Sequence, residues 1–180
     1  MTLRTFQGIT PQLAQGVYID PAALVIGSVE IGEDSSVWPG VVIRGDVNTI
    51  TIGARTNIQD NSVIHVSRPG LAGGPGAATR LGDDITLGHR VMLHGCTLGD
   101  RILVGMGAII MDDAVVNSDI ILGAGALVPP GKKLESGYLY VGSPVRQARK
   151  LSAAELEFLV ASAHNYVGDK NQYIAEGYTR

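Results

Sequence analysis

The stretch LGDRILVGMGAIIMDDAVVNSDIILGAGALV, residues 98–128, carries an aliphatic residue at every sixth position. These positions are Leu98, Val104, Ile110, Val116, Leu122 and Val128. Six-residue repeats of this kind are typical of a parallel β-helix. Three repeats make one triangular coil, so we expect residues one coil (about 18 positions) apart to stack on the same face.

The same register extends on both sides of this stretch. It includes Ile19, Val25, Ile31, Val37, Ile43, Ile52, Ile58, Ile64, Leu81, Leu87 and Leu93 before it, and Leu134 after it. Aromatic residues make up only 5% of the chain and there are 24 glycines, which suits a narrow interior with tight corners. The sequence therefore predicts an all-β fold, a parallel β-helix of about six triangular coils.

Two interruptions break the register. The step from Ile43 to Ile52 is longer than one repeat, and the step from Ile64 to Leu81 is longer still. The second contains SRPGLAGGPGAATR, residues 67–80, whose glycines and prolines predict an exposed loop that leaves the prism. We call this segment the excursion. Its function is left open, with a lid over a neighbouring site as one interpretation.

The repeat stops near the C-terminus and a helix is predicted there. Ser152 followed by Glu155 forms a capping-box pattern, and the helix is expected to run from residue 153 to about residue 166. We therefore expect two units, a β-helix domain over residues 1–145 and a C-terminal helix within residues 146–180 that packs on the prism.

Composition excludes several classes of partner. A net charge of -3 and a pI near 5.7 give no basic surface for nucleic acid. No apolar run approaches the roughly 20 residues that a membrane span needs, and no signal peptide is recognised. The single cysteine, Cys96, precludes an intrachain disulfide and favours a reducing, cytoplasmic location. Cys96 is interpreted as a small buried side chain rather than as a ligand.

His65 and His94 are candidate metal ligands on one face. Each follows an inward aliphatic residue, Ile64 and Leu93, so both are predicted to point outward. Without the excursion they would be one coil apart, with backbones roughly 4.8 Å from each other. Two imidazoles at that spacing can bind one ion at metal–nitrogen distances of about 2.0–2.1 Å.

His89 is the third candidate ligand and lies elsewhere on the triangle. It comes two residues after Leu87, near a corner of the preceding face, so one chain is not expected to bring all three histidines together. Prisms arranged around a threefold axis would place His89 of one copy beside His65 and His94 of the next. The sequence therefore predicts a homotrimer, and three histidines with an open fourth position describe a catalytic zinc site.

Polar residues surround these histidines in the repeat. Arg44 is expected on the face of His65, one coil earlier, and Asp60 at the repeat position of His89, one coil earlier. We consider a charge-assisted pair between Arg44 and Asp60 across the subunit interface, with a purely structural ion pair as the alternative.

Three further residues lie near these corners. Gln59 is a candidate to orient hydroxide or substrate, with a merely solvated amide as the alternative. Asp46 and Asn57 are close enough to be candidate members of the same site.

The motifs together resemble the gamma-class carbonic anhydrase family over nearly the whole chain. They are Arg44-Gly45-Asp46, Asn57-Ile58-Gln59-Asp60, His65 and Gly88-His89-Arg90-Val91-Met92-Leu93-His94-Gly95. The resemblance implies a left-handed β-helix, a trimer and zinc on the three histidines, with Fe²⁺ or Co²⁺ as substitutes. It also implies an interface pair of Arg44 with Asp60, Gln59 near the reacting water, and a polar group such as Tyr166 brought in by the helix.

One departure from the archetypal pattern concerns proton transfer. The archetypal members carry glutamates where this chain has Val47 or Asn48 and, after the first histidine, Ser67-Arg68-Pro69. In this respect the chain is more similar to the shorter bacterial branch, called carbonic anhydrase-like or ferripyochelin-binding proteins. We expect slow or buffer-dependent turnover where no glutamate carries the proton.

The predicted reaction is attack of zinc-activated hydroxide on CO₂ to give bicarbonate. Two alternatives are considered. The first is a metal-dependent acyl-CoA thioesterase, whose larger substrate the excursion would admit. The second is a non-catalytic trimer that binds metal or a siderophore.

Overall fold

The computed structural model describes residues 2–70 and 74–178, and these form a stack of short strands followed by one helix. The strands are β1 (Leu3–Arg4), β2 (Gln12–Leu13), β3 (Tyr18–Ile19), β4 (Leu24–Ile31), β5 (Ser36–Val37), β6 (Val42–Ile52), β7 (Asn57–Ile58), β8 (Val63–His65), β9 (Thr79–Leu81), β10 (Thr86–Leu87), β11 (Met92–His94), β12 (Thr97–Leu98), β13 (Ile102–Val104), β14 (Ile109–Ile110), β15 (Val115–Val116), β16 (Ile120–Leu122), β17 (Leu127–Val128), β18 (Lys133–Leu134), β19 (Tyr138–Val141) and β20 (Arg146–Lys150). The helix is α1 (Ala153–Ala175).

The strands form the three faces of a parallel β-helix. One face is an eight-stranded sheet in the order β3-β5-β7-β10-β13-β16-β19-β20, in which the last pairing is antiparallel. The other two faces form a 12-stranded sheet, because β4 and β6 continue around a corner. We call the face that contains β8 and β11 the histidine face; β14 and β17 continue it. The predicted fold class is confirmed.

The stack has about eight turns rather than the six predicted. At one end Leu3 pairs with Val25, and at the other the backbone N–H of Val145 donates to the carbonyl of Leu127 at 2.8 Å. These terminal turns lie outside the region of strict six-residue spacing, so the count of repeats missed them.

Aliphatic side chains at the repeat positions fill the interior. Ile58, Ile64 and Leu93 are fully buried. The glycine that often follows them lets successive coils approach, since a Cβ atom on Gly53 would lie 2.4 Å from the carbonyl oxygen of Gly82.

The structure contains both predicted interruptions. In the first, Gly27 pairs with Gly45 but Val29 pairs with Ile50, so the intervening segment of β6 protrudes from the corner. In the second interruption, the chain leaves the β-helix after β8 and rejoins it at Thr79, where β9 begins. Residues 71–73 of the excursion lie outside the described residues.

The C-terminal helix begins as predicted and ends later than predicted. Ser152 and Glu155 form the reciprocal capping box, which confirms the predicted N-terminus. The predicted end near residue 166 is wrong, because α1 continues to Ala175. The added turns are held on the prism, where the buried amine of Lys170 donates to Asp34 Oδ1 at 2.8 Å.

Cys96 belongs to the prism core. It is 1% exposed, and burial raises the pKa of its thiol to about 12, which agrees with a small buried side chain rather than a ligand. As for membranes, none of the described residues form a helix with the length and apolar character needed to cross a bilayer.

Candidate metal centre

His65 and His94 lie side by side on the histidine face. Their Cα atoms are paired partners in the β8–β11 ladder, as the repeat spacing predicts. His65 Nδ1 lies 3.1 Å from His94 Nε2, and the ring centroids are 5.1 Å apart. The two imidazoles therefore present one nitrogen each to a common point.

The outer nitrogen of each imidazole contacts a carboxylate. His65 Nε2 lies 2.9 Å from Asp46 Oδ1, and His94 Nδ1 lies 2.6 Å from Asp112 Oδ1. Burial opposes ionisation of Asp46, but hydrogen bonds from His65 and Arg44 outweigh it and hold the pKa of Asp46 below its usual value. Asp46 is thus an ionised acceptor at neutral pH.

The carboxylate contacts favour a lone pair on the inner nitrogen of each imidazole. A neutral imidazole that donates from one nitrogen carries a lone pair on the other. When both rings are neutral and both outer N–H groups are donated to the carboxylates, two lone pairs face each other across the 3.1 Å between His65 Nδ1 and His94 Nε2. A cation between them relieves the repulsion, and two nitrogen ligands of a tetrahedral zinc ion lie about 3.3 Å apart. The pair therefore fits a zinc ion.

His89 is not part of this pair within one chain. It follows β10 near the corner, and its Nδ1 lies 2.9 Å from Asp60 Oδ2 on the neighbouring coil. Over residues 2–70 and 74–178, no three His, Cys, Asp or Glu side chains converge to hold a metal ion. Within the described residues His89 is therefore separate from the His65–His94 pair, and a centre that joins all three histidines from two copies of the chain stays a prediction.

Arg44 and Asp60 have separate partners within the protomer. The Arg44 guanidinium forms an ion pair with Asp46, and Asp60 accepts from His89. Both side chains remain partly exposed, Arg44 at 43% and Asp60 at 39%. The pairing of Arg44 with Asp60 across an interface stays a prediction.

Gln59 and Asn57 form a buried amide pair on the adjacent face. Gln59 Nε2 donates to Asn57 Oδ1 at 3.2 Å, and Asn57 Nδ2 donates to Thr86 Oγ1 at 3.0 Å. Gln59 is 6% exposed, so it is an ordered amide rather than the solvated one considered as the alternative. Asn57 orients Gln59 and does not itself reach the surface.

Tyr166 lies where the helix crosses the prism. Its ring packs edge-on against Trp38, and both residues line a cleft of about 330 Å³ that also contains Asp60. Burial, together with the negative charges of Asp169 and Asp60, raises the pKa of Tyr166. Tyr166 thus lies near the His89–Asp60 pair and remains protonated at neutral pH.

Asp112 is not among the residues predicted from the sequence. It stands 18 residues after His94, but Leu93 pairs with Ile110, 17 residues later, so a step of one nominal coil does not align Asp112 with His94. His164, the remaining histidine, is exposed on the helix and lies 3.9 Å from Asp84. It has no connection to the candidate centre.

Comparisons with known proteins agree with this architecture. Residues 10–45 match the family described as bacterial transferase hexapeptide (six repeats). The chain is 52% identical over 175 residues to Protein YrdA of Escherichia coli, covering 97% of this chain and 95% of that protein. It is 43% identical over 166 residues to gamma carbonic anhydrase 1, mitochondrial, of Arabidopsis thaliana, covering 92% of this chain and 60% of that protein. It is 39% identical over 168 residues to a carbonic anhydrase of Geobacillus kaustophilus, covering 93% and 88%.

Proposed function

Since this chain belongs to the gamma carbonic anhydrase-like branch of the hexapeptide-repeat family, we propose that it hydrates CO₂ to bicarbonate at metal sites shared between copies in a homotrimer. The observation that carries the proposal is the pair of facing nitrogens, His65 Nδ1 and His94 Nε2, 3.1 Å apart. Their outer nitrogens contact carboxylates, an arrangement common around metal-ligating histidines. We propose Zn²⁺ as the ion, with Fe²⁺ or Co²⁺ as substitutes.

Apolar side chains flank both parts of the site. Met92 and Ile109 are paired neighbours on the histidine face, outward like His94, and are 45% and 39% exposed. Met106, 58% exposed, lies on the coil beside His89, whose carbonyl accepts from Gly107 N–H. Contact between the histidine face of one copy and the His89 corner of another would bury these apolar side chains. The same contact would bring His89 to the histidine pair.

A zinc ion held there would act as a Lewis acid, lower the pKa of water to about 7 and make hydroxide available at neutral pH. Gln59 is proposed to hydrogen-bond the reacting water and direct its lone pair at the carbon of CO₂. Asn57 keeps the Gln59 amide in one orientation through its 3.2 Å hydrogen bond. Asp46 holds the His65 ring, and Tyr166 and Asp60 line the neighbouring cleft as polar groups.

Each turnover releases one proton, which must leave the site. This chain has Val47 or Asn48 at one place, and Ser67-Arg68-Pro69 at the other, where archetypal members carry glutamates. We expect a small buffer molecule such as imidazole to accept the proton. The rate of hydration should therefore rise with imidazole concentration until another step becomes limiting.

The test is elemental analysis of anaerobically purified protein, followed by a CO₂ hydration assay on the same sample. We expect one metal ion per chain, a trimeric mass in solution and metal-dependent hydration that increases with imidazole. His89→Ala should lose the metal, whereas His164→Ala, a change on the exposed helix surface, should keep it.

Two outcomes contradict the proposal. Stoichiometric metal in His89→Ala would refute the shared site. Metal-loaded protein without hydration at any imidazole concentration would refute the reaction, and a panel of acyl-CoA substrates would then test the thioesterase alternative.

A further inference from the structure

Hydrogen bonds connect both ends of the excursion to the histidine pair, one end through Asp112 and the other through the backbone carbonyl of His65. At its first residue, Ser67 Oγ donates to Asp112 Oδ2 at 2.7 Å, and the other oxygen of Asp112 lies 2.6 Å from His94 Nδ1. The carboxylate of Asp112 thus bridges the base of the excursion and one imidazole.

At the other end, Thr79 connects the two histidine strands. Its hydroxyl donates to the His65 carbonyl at 2.7 Å and accepts from Gly95 N–H at 3.0 Å. Thr79 is fully buried, so these bonds are shielded from water. The stem is closed by hydrogen bonds between Ser67 and Ala77, with N–O distances of 2.9 and 3.3 Å.

We propose that Asp112 is a positioning residue for the metal centre, and that Ser67 couples the excursion to it. This inference rests on the proposed function. Asp112 accepts from His94 Nδ1–H, which leaves the lone pair on Nε2, the nitrogen that faces His65. Removing a carboxylate partner of this kind from a metal-ligating histidine typically lowers metal affinity 10–100-fold.

Ser67 fixes the rotation of the Asp112 carboxylate. Without the hydroxyl, Oδ2 would exchange its partner for water because the Asp112 side chain is 37% exposed. Through Ser67, the excursion therefore holds Asp112 on the next coil in the orientation that contacts His94.

Two substitutions distinguish the hydrogen-bond acceptor that Asp112 provides from its negative charge. Asp112→Ala removes both acceptor and charge, whereas Asp112→Asn keeps an acceptor and removes the charge. Asp113→Asn, which makes the same charge change at the next residue, is the matched control.

The first measurement is nitrogen-15 NMR of the histidine rings in metal-free protein. Wild type should show His94 with hydrogen on Nδ1. Asp112→Ala should show a mixture of tautomers, and Asp112→Asn should restore the wild-type signal.

The second measurement is zinc affinity by competition with a chelator. Asp112→Ala should bind zinc 10–100-fold more weakly, with Asp112→Asn between it and wild type. Ser67→Ala should weaken binding by less than Asp112→Ala, and Asp113→Asn should leave affinity unchanged. An unaltered His94 tautomer and affinity in Asp112→Ala would overturn the inference. Failure of the proposed function would instead be seen in wild type, as protein that binds no zinc.

Discussion

Gly95 shows how one residue without a side chain makes room for a contact of the candidate site. It follows His94 and has φ +57, a backbone region that favours glycine. A Cβ atom there would lie 2.3 Å from Asp112 Oδ1 and 2.6 Å from the Cβ of Ala77. The carboxylate can therefore reach His94 only because residue 95 is glycine.

We expect Gly95→Ala to lower both the free energy of unfolding and the affinity for zinc. The positive φ costs about 1–2 kcal/mol in an alanine, and the clash displaces Asp112 from His94. Urea unfolding and zinc competition measure the two effects.

Gly125→Ala is the control, because Gly125 also has a positive φ (+67) but a Cβ atom there meets nothing within 4 Å. It should show the loss of stability and keep wild-type zinc affinity. Equal affinities for the two variants would contradict the role given to Gly95.

The sequence could predict the histidine pair but not its carboxylate. The spacing of His65 and His94 follows from the repeat, since each comes directly after a buried aliphatic residue. Asp112 sits where the coil is shorter than the nominal 18, because Leu93 pairs with Ile110, 17 residues later. Its contact with His94 is therefore diagonal and depends on Gly95, which no count of six-residue steps reveals.

At the level of elements, Glu155 ties the start of α1 to the preceding strand. Both of its oxygens accept from the Arg149 guanidinium, at 2.7 and 2.8 Å, and the backbone N–H of Ser152 also donates to it. The bonds from Arg149 and then Ser152 lower the pKa of Glu155 from its ordinary 4.5 to about 2.

This shift predicts how stability depends on pH. The pKa of Glu155 is lower in the folded than in the unfolded protein, so its contribution to folding is complete above pH 4.5 and is lost as the pH falls toward 2. The difference in free energy of unfolding between metal-free wild type and Glu155→Gln should shrink over that range. Glu157→Gln, the same change on an exposed site of the helix, should show no such trend; a pH-independent difference for Glu155→Gln would contradict the prediction.

The length of the same helix was harder to predict than its start. The capping box is local, so Ser152 and Glu155 identify it from sequence. The end depends on distant contacts, because Lys170 reaches Asp34 on the prism and Tyr173 packs edge-on against Trp38, with ring centroids 5.0 Å apart. Tertiary packing extends the helix past the glycine at residue 168 that weakens its intrinsic propensity.

At the scale of the whole molecule, the histidine face combines an apolar surface with two candidate metal ligands. Met92 and Ile109 stand exposed beside His94, and within the described part of the chain His89 does not join His65 and His94. Under the proposed function, a single protomer would leave this apolar area exposed and would not bring the three histidines together. The proposed trimer satisfies both needs with one contact, repeated around a closed ring.

Met92→Glu tests this link between assembly and metal binding. A carboxylate at residue 92 would have to leave water at the interface, which costs several kcal/mol for an unpaired ion. We expect this variant to sediment as a folded monomer and to lose stoichiometric zinc, because His89 of the next copy no longer completes the site. Phe158→Glu is the control, since Phe158 is 52% exposed on α1, and it should remain trimeric and metal-loaded. If Met92→Glu remains a trimer, the histidine face is not part of the interface. If it is a monomer that still binds one zinc ion per chain, His65 and His94 need no histidine from a partner.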